Sequence, residues 1–314
     1  HLRRTGGGIG FESAEIKVMP SGKVLVGIGT SPHGQSGHTT TAQIVADIVG
    51  VPFDDIEVQS GDTATGPWGM GTFADRAAVT TGNAVRQASV KVQSKAKKIA
   101  AHLLEASEED IEVTEGRYGV RGSPDKGRSF AQVASAAYGN RLPEEIEHGL
   151  HEIAMFDPTN FAFPFGTHIC SVEVDPETGD IALTRYVGVD DCGVQINPQV
   201  VEGQIHGAVV QGLGQAFWEG AQYDADGQLL TGSLLDYGLP RADMVPEIET
   251  GHTETPAPEN PLGVKGVGEA GTIAAIPAAV NAVLDALAPL GVTDVPLPMT
   301  RERVWRAIQE ARGG

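Results

Sequence analysis

Cysteine is scarce in this sequence of 314 residues, which contains only Cys170 and Cys192. Two thiols cannot supply the four ligands of an ordinary iron–sulfur cluster, so such a cluster would have to lie on another chain. They are also too few for a disulfide scaffold. The low cysteine content therefore predicts a reducing, cytoplasmic setting.

Basic residues are also few, 22 against 41 acidic residues, which gives a formal net charge of −19. Nucleic-acid binding needs clustered lysine and arginine, so the charge balance argues against it. The overall field repels anions, and an anionic ligand would need local donors such as backbone N–H groups. We interpret the acidity mainly as a source of solubility.

Long apolar runs are missing. No uninterrupted run reaches the length of about 18 residues that a membrane-spanning helix needs, so the sequence predicts no such segment. The first residues, His1-Leu2-Arg3-Arg4, lead into glycines rather than into the apolar core of a signal peptide. The chain does not begin with methionine, and we expect its true start to lie elsewhere.

Several common catalytic motifs are not found either. The sequence contains no G-x-x-x-x-G-K-[ST] phosphate loop and no H-E-x-x-H zinc helix. The stretch 34–38 falls short of G-x-S-x-G because His38 replaces the second glycine. His33 and His38 would lie on different faces of a helix, so their spacing does not favour a zinc site.

What the sequence does contain is a repeated strand pattern. Residues 15–26 alternate apolar and polar side chains around a Pro-Ser-Gly turn, which predicts a hairpin with one buried face. Residues 171–181 repeat the pattern, and a polar loop and a helix follow each hairpin. We therefore predict an α+β fold of two related lobes, 1–150 and 151–314, each a mixed sheet with packed helices. Apolar periodicity predicts helices at 42–49, 77–106, 129–138, 201–219 and 273–287.

A glycine-rich stretch, Pro261–Thr272, carries one carboxylate, Glu269, immediately before a predicted helix. Its glycines also match the G-x-G-x-x-G dinucleotide pattern, but prolines occupy the place of the strand that this pattern needs before it. A plain glycine-rich turn with a solvated glutamate is a second alternative. A single carboxylate held before a packed helix suits a general base, and we interpret Glu269 in this way.

Two more segments combine glycine with polar side chains. Residues 61–76 are too rich in glycine for regular structure. The helix at 201–219 contains four glycines, each at a cost of about 1 kcal/mol relative to alanine, which close approach of backbone or ligand would explain. Backbone N–H groups and glutamine side chains suit a large polar ligand with phosphates and a heterocycle. These residues alone predict a cofactor-binding enzyme with a carboxylate base.

Four motifs follow one another along the chain: Gly29–Gln35, Asp190–Pro198, Glu202–Gly207 and Gly263–Glu269. They resemble the molybdenum-cofactor subunit of the xanthine dehydrogenase and aldehyde oxidase family, in particular the branch that includes the aerobic carbon monoxide dehydrogenase large chain. The resemblance that they carry extends over nearly the whole sequence. The resemblance implies a molybdenum hydroxylase that oxidises a small substrate (an aldehyde, an N-heterocycle or carbon monoxide) with oxygen derived from water.

The same resemblance implies a molybdenum–molybdopterin cofactor in its cytosine dinucleotide form, with the pterin rather than a side chain holding the metal. Glu269 matches the base that takes a proton from the metal-bound hydroxyl. Iron–sulfur and FAD subunits would accept the electrons, in a dimer of heterotrimers. The residues that match the family's cofactor contacts are Gly34, Gln35, Ser36, Gly71, Thr72, Phe73, Ala74, Arg76, Gln204, Lys265, Gly266 and Val267.

Two motifs of that family do not occur in this sequence: a Gly-Gly-x-Phe-Gly loop, which Gly6–Gly10 does not match, and an Ala-Tyr-Arg segment. We therefore expect the chain to be the C-terminal portion of a longer subunit, with the upstream portion as its partner. At positions 34–37 the family often has Gly-Gln-Gly-His, whereas this chain has Gly-Gln-Ser-Gly. The alternative function is a non-catalytic binding or scaffold module that keeps the cofactor fold.

Overall fold

A computed structural model describes residues 1–5, 10–139 and 141–313, so most of the Gly6–Gly10 motif lies outside the described residues. The strands are β1 (Glu12–Val18), β2 (Val24–Ile28), β3 (Ile56–Gln59), β4 (Ile111–Thr114), β5 (Arg117–Val120), β6 (Ser123–Ser129), β7 (Leu150–Phe156), β8 (Phe165–Val174), β9 (Ile181–Asp191) and β10 (Ile248–Thr253). The α-helices are α1 (Gly37–Val49), α2 (Ala77–Leu104), α3 (Phe130–Ala137), α4 (Pro198–Phe217), α5 (Ala270–Leu287) and α6 (Arg301–Gly313).

The first sheet is built on the predicted hairpin. β1 and β2 pair antiparallel, and alternation along β1 buries Ala14, Ile16 and Val18 on one face. α1 then crosses over so that β3 lies parallel to β2. β7 pairs with the other edge of β1, which gives the strand order β3-β2-β1-β7.

The second sheet repeats this arrangement. β8 and β9 pair antiparallel, α4 crosses over, and β10 lies parallel to β9, in the order β10-β9-β8. α5 packs on β8 and α4, as α2 packs on β1, β7 and α1. Both halves therefore follow the order β-β-α-β-α, and the predicted α+β fold of two related lobes is confirmed.

The apolar cores follow the two sheets. One cluster of buried residues gathers β1, β2, α1, α2 and β7 and ends at Phe156, whereas the second contains residues from Cys170 onward. The small sheet β4-β5-β6 and α3 pack beside α2 in the first lobe. Because β7 pairs with β1, the first sheet includes residues just beyond 150. The division at residue 150 itself stays a prediction.

Three helices begin earlier than the apolar periodicity predicts. α1 begins at Gly37 rather than at residue 42, so Thr39 and Thr40 lie in its first turn. α4 begins at Pro198 after Asn197, whose side chain accepts the N–H of Val200. Periodicity detects the buried face of a helix. The first turns of α1 and α4 border a cleft instead of the core, so the pattern does not detect them. The third helix, α5, begins at the buried Ala270 rather than at residue 273.

Glycine allows α4 and α5 to approach closely. A Cβ atom on Gly212 of α4 would collide with Ala275 and the backbone of Thr272, and one on Gly271 of α5 would collide with the backbone of Ile205. Close backbone approach thus explains part of the glycine content of α4. Gly203 lies in open space, where packing gives no reason for glycine.

α5 and the turn that follows it, Ala270–Leu290, are long and apolar enough to cross a membrane by length and composition, with a mean hydropathy of 1.7. Asn281 and Asp285 interrupt the apolar sequence of this segment, so it does not form the uninterrupted run on which the prediction of no membrane-spanning segment was based. Ala275, Ala279 and Val283 of α5 are fully buried in the second core. One face of α5 thus packs in the core of the second lobe, and 28% of the apolar window is buried.

Candidate functional site

A cleft of about 540 Å³ lies where the two lobes meet. Its walls include the first turns of α1, α2 and α4 and the loop that leads into α5. The first N–H groups of a helix have no partner within the helix, and the helix dipole makes this end positive. Four such ends around one cleft favour an anionic group, although the chain as a whole is strongly negative.

The structure brings most of the predicted site residues together in this cleft. Ten of them line it: Gly34, Gln35, Thr72, Phe73, Ala74, Gln204, Lys265, Gly266, Val267 and Glu269. Of the predicted residues, Ser36, Gly71 and Arg76 are not among the described residues that line it. Ser36 adopts a left-handed conformation just before α1, and Gly71 does so in the loop before α2.

Arg76 supports the loop before α2 from behind. Its side chain is fully buried and forms an ion pair with Glu12, which is also fully buried. The guanidinium also donates to the carbonyl oxygens of Gly71 (2.9 Å) and Phe11 (3.1 Å). Glu12 in turn accepts the N–H of Met70 (2.8 Å). The two terminal nitrogens of Arg76 thus donate inside the protein, whereas its buried Nε has no hydrogen-bond partner among the described residues. The observed contribution of Arg76 is to the shape of the cleft wall.

Glu269 lies directly before α5, and its side chain is about half exposed (47%). Its carboxylate forms an ion pair with Arg3 from the first residues of the chain. The N–H of Glu269 donates to Oδ2 of Asp75 in the opposite lobe (3.2 Å). The catalytic candidate therefore lies at the junction of the two lobes, within reach of the cleft.

Asp75 was not among the residues that the sequence predicted for the site. Its side chain is 7% exposed, and burial raises the pKa of the carboxyl to about 6, although Arg3 opposes this shift. Asp75 and the preceding Ala74 both have positive φ angles, 55° and 51°. Left-handed backbone of this kind is uncommon in residues other than glycine. No sequence pattern distinguishes this aspartate from a solvated loop residue.

Lys265 contributes its backbone to the cleft, while its ammonium group is held elsewhere. The Nζ atom donates to Oδ1 of Asp191 (2.8 Å) and lies 4.8 Å from the ring centre of Phe165. Burial acts to raise the pKa of Asp191, but hydrogen bonds from Lys265, other side chains and a backbone N–H lower it to about 2. The charge of Lys265 is thus neutralised within the second lobe.

The two predicted glutamines lie on opposite walls. Oε1 of Gln35 accepts the N–H of His33 (2.7 Å), which closes the loop before α1 into a turn. Gln204 lies on α4 beside Gly268, where a Cβ atom would come within 3.4 Å of Oε1. Each side chain combines donors and acceptors and can bind a polar heterocycle.

A polar cluster anchors the first residues of the chain. The two carboxylate oxygens of Asp190 meet the Nε2 atoms of His1 (2.7 Å) and His168 (3.0 Å), and Tyr186 meets the Nδ1 atom of His168 (2.9 Å). The side chains of His1, His168 and Asp190 have the composition of a metal site. Hydrogen bonds already account for their spacing, so we assign the cluster to holding the segment that carries Arg3.

Comparison with known proteins places this cleft in a family. Residues 3–246 match the family described as the molybdopterin cofactor-binding domain. The chain is 42% identical over 304 residues to the carbon monoxide dehydrogenase large chain of Hydrogenophaga pseudoflava, which covers 96% of this chain and 38% of that one. It is also 42% identical to the nicotine 6-hydroxylase large subunit of Paenarthrobacter nicotinovorans, over 94% of this chain and 36% of that one.

A solved structure agrees with these relatives. Quinoline 2-oxidoreductase from Pseudomonas putida 86 matches the fold with a TM-score of 0.92 at 40% identity, over 98% of this chain and 41% of that chain. The chain thus spans about two-fifths of the length of the relatives that it matches. Its sequence, its two-lobed fold and the glycine-rich cleft all lead to one assignment. The chain belongs to the molybdopterin cofactor-binding domain family, as part of the large, molybdenum-binding subunit of the xanthine dehydrogenase type.

Proposed function

We propose that this chain is part of a molybdenum hydroxylase subunit, in which the interlobe cleft binds the molybdenum–molybdopterin cofactor and Glu269 is the general base. The observation that carries the proposal is the convergence of four helix N-termini and the Glu269 loop on one cleft. The helix N-termini would bind the anionic cofactor, and Glu269 in the same cleft would accept a proton.

The residues present fit such a cofactor. The cleft has the size of typical ligand pockets, which span about 300–1,000 Å³. The first turn of α1, which has no side-chain cap, suits phosphate oxygens, and the side chains of Gln35 and Gln204 suit a pterin or a nucleobase. Gly266 keeps the wall flat where a side chain would enter the space of Asp75. We infer that the bound form is the cytosine dinucleotide.

The protein's own part in the reaction follows from the position of Glu269. When bound, the cofactor would supply the two-electron redox chemistry, which no side chain of this chain can provide. Glu269 would accept the proton that is released when oxygen is transferred to the substrate, and its half-exposed side chain can return this proton to solvent. The hydrogen bond to Asp75 fixes the backbone from which this carboxylate extends.

Substrates and partners are inferred from the relatives. Their names include carbon monoxide, nicotine and quinoline as compounds acted on, and we propose a small molecule of this range as the substrate. Because the chain covers only part of those subunits, the upstream portion would complete the site. Iron–sulfur and FAD subunits would carry the electrons, in a cytoplasmic dimer of heterotrimers.

Metal and nucleotide analysis tests this function. We expect the enzyme, purified with its neighbouring subunits from cells that make the cofactor, to contain close to one molybdenum and one cytidine nucleotide per copy of this chain. Dye reduction is then measured with carbon monoxide, nicotine and quinoline. A preparation that lacks molybdenum would instead support the scaffold module. A non-cytidine nucleotide would overturn only the form of the cofactor.

A further inference from the structure

Among the described residues, no side chain of the second lobe caps α5, although the backbone carbonyl of Val267 accepts the N–H of Ala270. The first turn of α5 contains no acidic residue, and within the described part of the chain Glu269, at the N-cap position, makes no side-chain capping bond. α5 has 18 residues. The N-terminus of such a helix carries a partial positive charge and N–H groups without partners within the helix. Capping side chains usually come from the residues that precede the helix.

Asp75 meets this end of α5 from the other lobe. Its Oδ2 atom accepts the N–H of Glu269 (3.2 Å), and its Oδ1 atom lies against Gly268. Its Cβ and backbone carbonyl fill the space where Gly266 would otherwise carry a side chain. The carboxyl group is thus inserted between the glycines of the Glu269 loop, with Arg3 as the nearby cation (3.7 Å).

The loop before α2 is built to present this side chain. Ala74 and Asp75 both adopt left-handed backbone, a conformation that costs of the order of 1–3 kcal/mol for each such residue. The buried pair of Arg76 and Glu12 fixes the loop one residue further along. Strained backbone of this kind persists where surrounding structure enforces it, and it is common at functional sites.

We propose that Asp75 is a positioning residue, which caps α5 across the lobe interface and thereby fixes the backbone of the general base Glu269. This inference rests on the proposed function for the role of Glu269, but the capping contact itself does not depend on it. A general base must be placed accurately, since a displacement of about 1 Å can lower a rate by about 100-fold.

Replacement by glycine separates the cap from the backbone strain. Asp75→Gly removes the carboxylate and also suits a φ angle of 55°, so the variant should fold at least as well as the wild type. Asp75→Asn keeps an acceptor oxygen and tolerates the same φ angle. Asp62→Asn is the matched control, because Asp62 is an exposed aspartate in the same loop and lies outside the cleft wall.

Residue-resolved hydrogen exchange of the holoenzyme measures the contact directly. We expect the Glu269 amide to exchange about tenfold faster in Asp75→Gly, in line with the loss of one charge-assisted hydrogen bond. Asp75→Asn should restore slow exchange to within about threefold, and Asp62→Asn should have no effect. Unchanged exchange at Glu269 in Asp75→Gly, with the protein folded, would overturn the proposal.

Turnover separates this proposal from the function on which it rests. With a substrate from the dye-reduction panel, Asp75→Gly should lower kcat by about 10- to 100-fold while KM and molybdenum content stay near wild type. Faster exchange at Glu269 with full kcat would leave Asp75 as a cap without a positioning role, and would overturn the proposal. A wild-type enzyme without molybdenum would refute the proposed function, yet the exchange experiment would still decide on the contact.

Discussion

The loop before α2 and the loop before α5 occupy corresponding places in the two lobes. Each follows a strand that lies parallel to its neighbour, and each leads into the long helix of its lobe. The first loop is fixed by the fully buried pair of Glu12 and Arg76 and has two left-handed non-glycine residues. The second is rich in glycine and carries the half-exposed Glu269. One copy of the shared topology thus provides support, and the other carries the carboxylate that we propose as the general base.

This difference shows how a duplicated fold can form an asymmetric site. Corresponding helix N-termini give the cleft a similar anion-binding character on both sides. The loops beside them differ, and the half-exposed carboxylate that we propose as the base lies in only one of the two loops. Asp75 links the two loops through its contact with the N–H of Glu269.

The largest effect should come from the second loop. Glu269→Gln keeps the shape of the side chain but removes the base, so we expect kcat to fall by about 10²- to 10⁴-fold with molybdenum content unchanged. Glu254→Gln, at an exposed position between β10 and this loop, serves as the control. Wild-type kcat in Glu269→Gln would show that the second loop does not hold the base.

The first loop should respond through stability. Glu12→Gln leaves the buried guanidinium of Arg76 without its counter-ion, and the loss of one partner of a buried pair costs about 3–5 kcal/mol of unfolding free energy. Glu112→Gln, which removes the partner of Arg121 in an exposed pair, should cost about 0–1 kcal/mol. Denaturant unfolding measures both. Equal losses in the two variants would contradict the supporting role of the first loop.

The contact between the loops can be disturbed from the glycine side. In Gly266→Ala the added methyl group meets the Cβ and carbonyl of Asp75, so we expect a loss of about 1–3 kcal/mol and lower molybdenum occupancy. Gly203→Ala, in open space on α4, should instead stabilise the protein by up to about 1 kcal/mol. If both variants have the same unfolding free energy and molybdenum content, the close approach of the loops contributes neither to stability nor to cofactor binding.

The environment of Asp75 should also make stability depend on pH. Burial raises the pKa of Asp75 from 3.8 to about 6, so between these values the folded protein binds more protons than the unfolded chain. Stability from this group is therefore present at low pH and is lost as the pH rises towards 6. In Asp75→Asn the unfolding free energy should not show this decrease between pH 3.8 and about 6. Urea unfolding of wild type and variant at several pH values in this range measures the difference. Parallel pH profiles would place Asp75 in a solvated environment.

The sequence predicts the hairpins of both lobes and singles out Glu269, but it does not predict the contacts that support the first loop. Alternating strands around the Pro-Ser-Gly turn and around residues 171–181 predict both hairpins correctly, because period-2 burial is local. Glu269 stands out because it is the one carboxylate among the glycines at 263–271. Asp75 and Glu12 do not stand out, since their roles depend on contacts between distant parts of the chain. Arg76 was assigned to the cofactor by family resemblance, whereas its side chain contacts the protein interior.

The pairing of β1 with β7 has a consequence for the order in which the protein folds. Glu12 pairs with Phe156, so the first sheet closes only after a long intervening chain has been made and arranged. Contacts between residues far apart in sequence form slowly, because the connecting loop must first be ordered. β8 and β9, by contrast, are joined by a short turn. We therefore expect the lobe that leaves the ribosome first to complete its sheet late, and the cleft to assemble only when both lobes are in place.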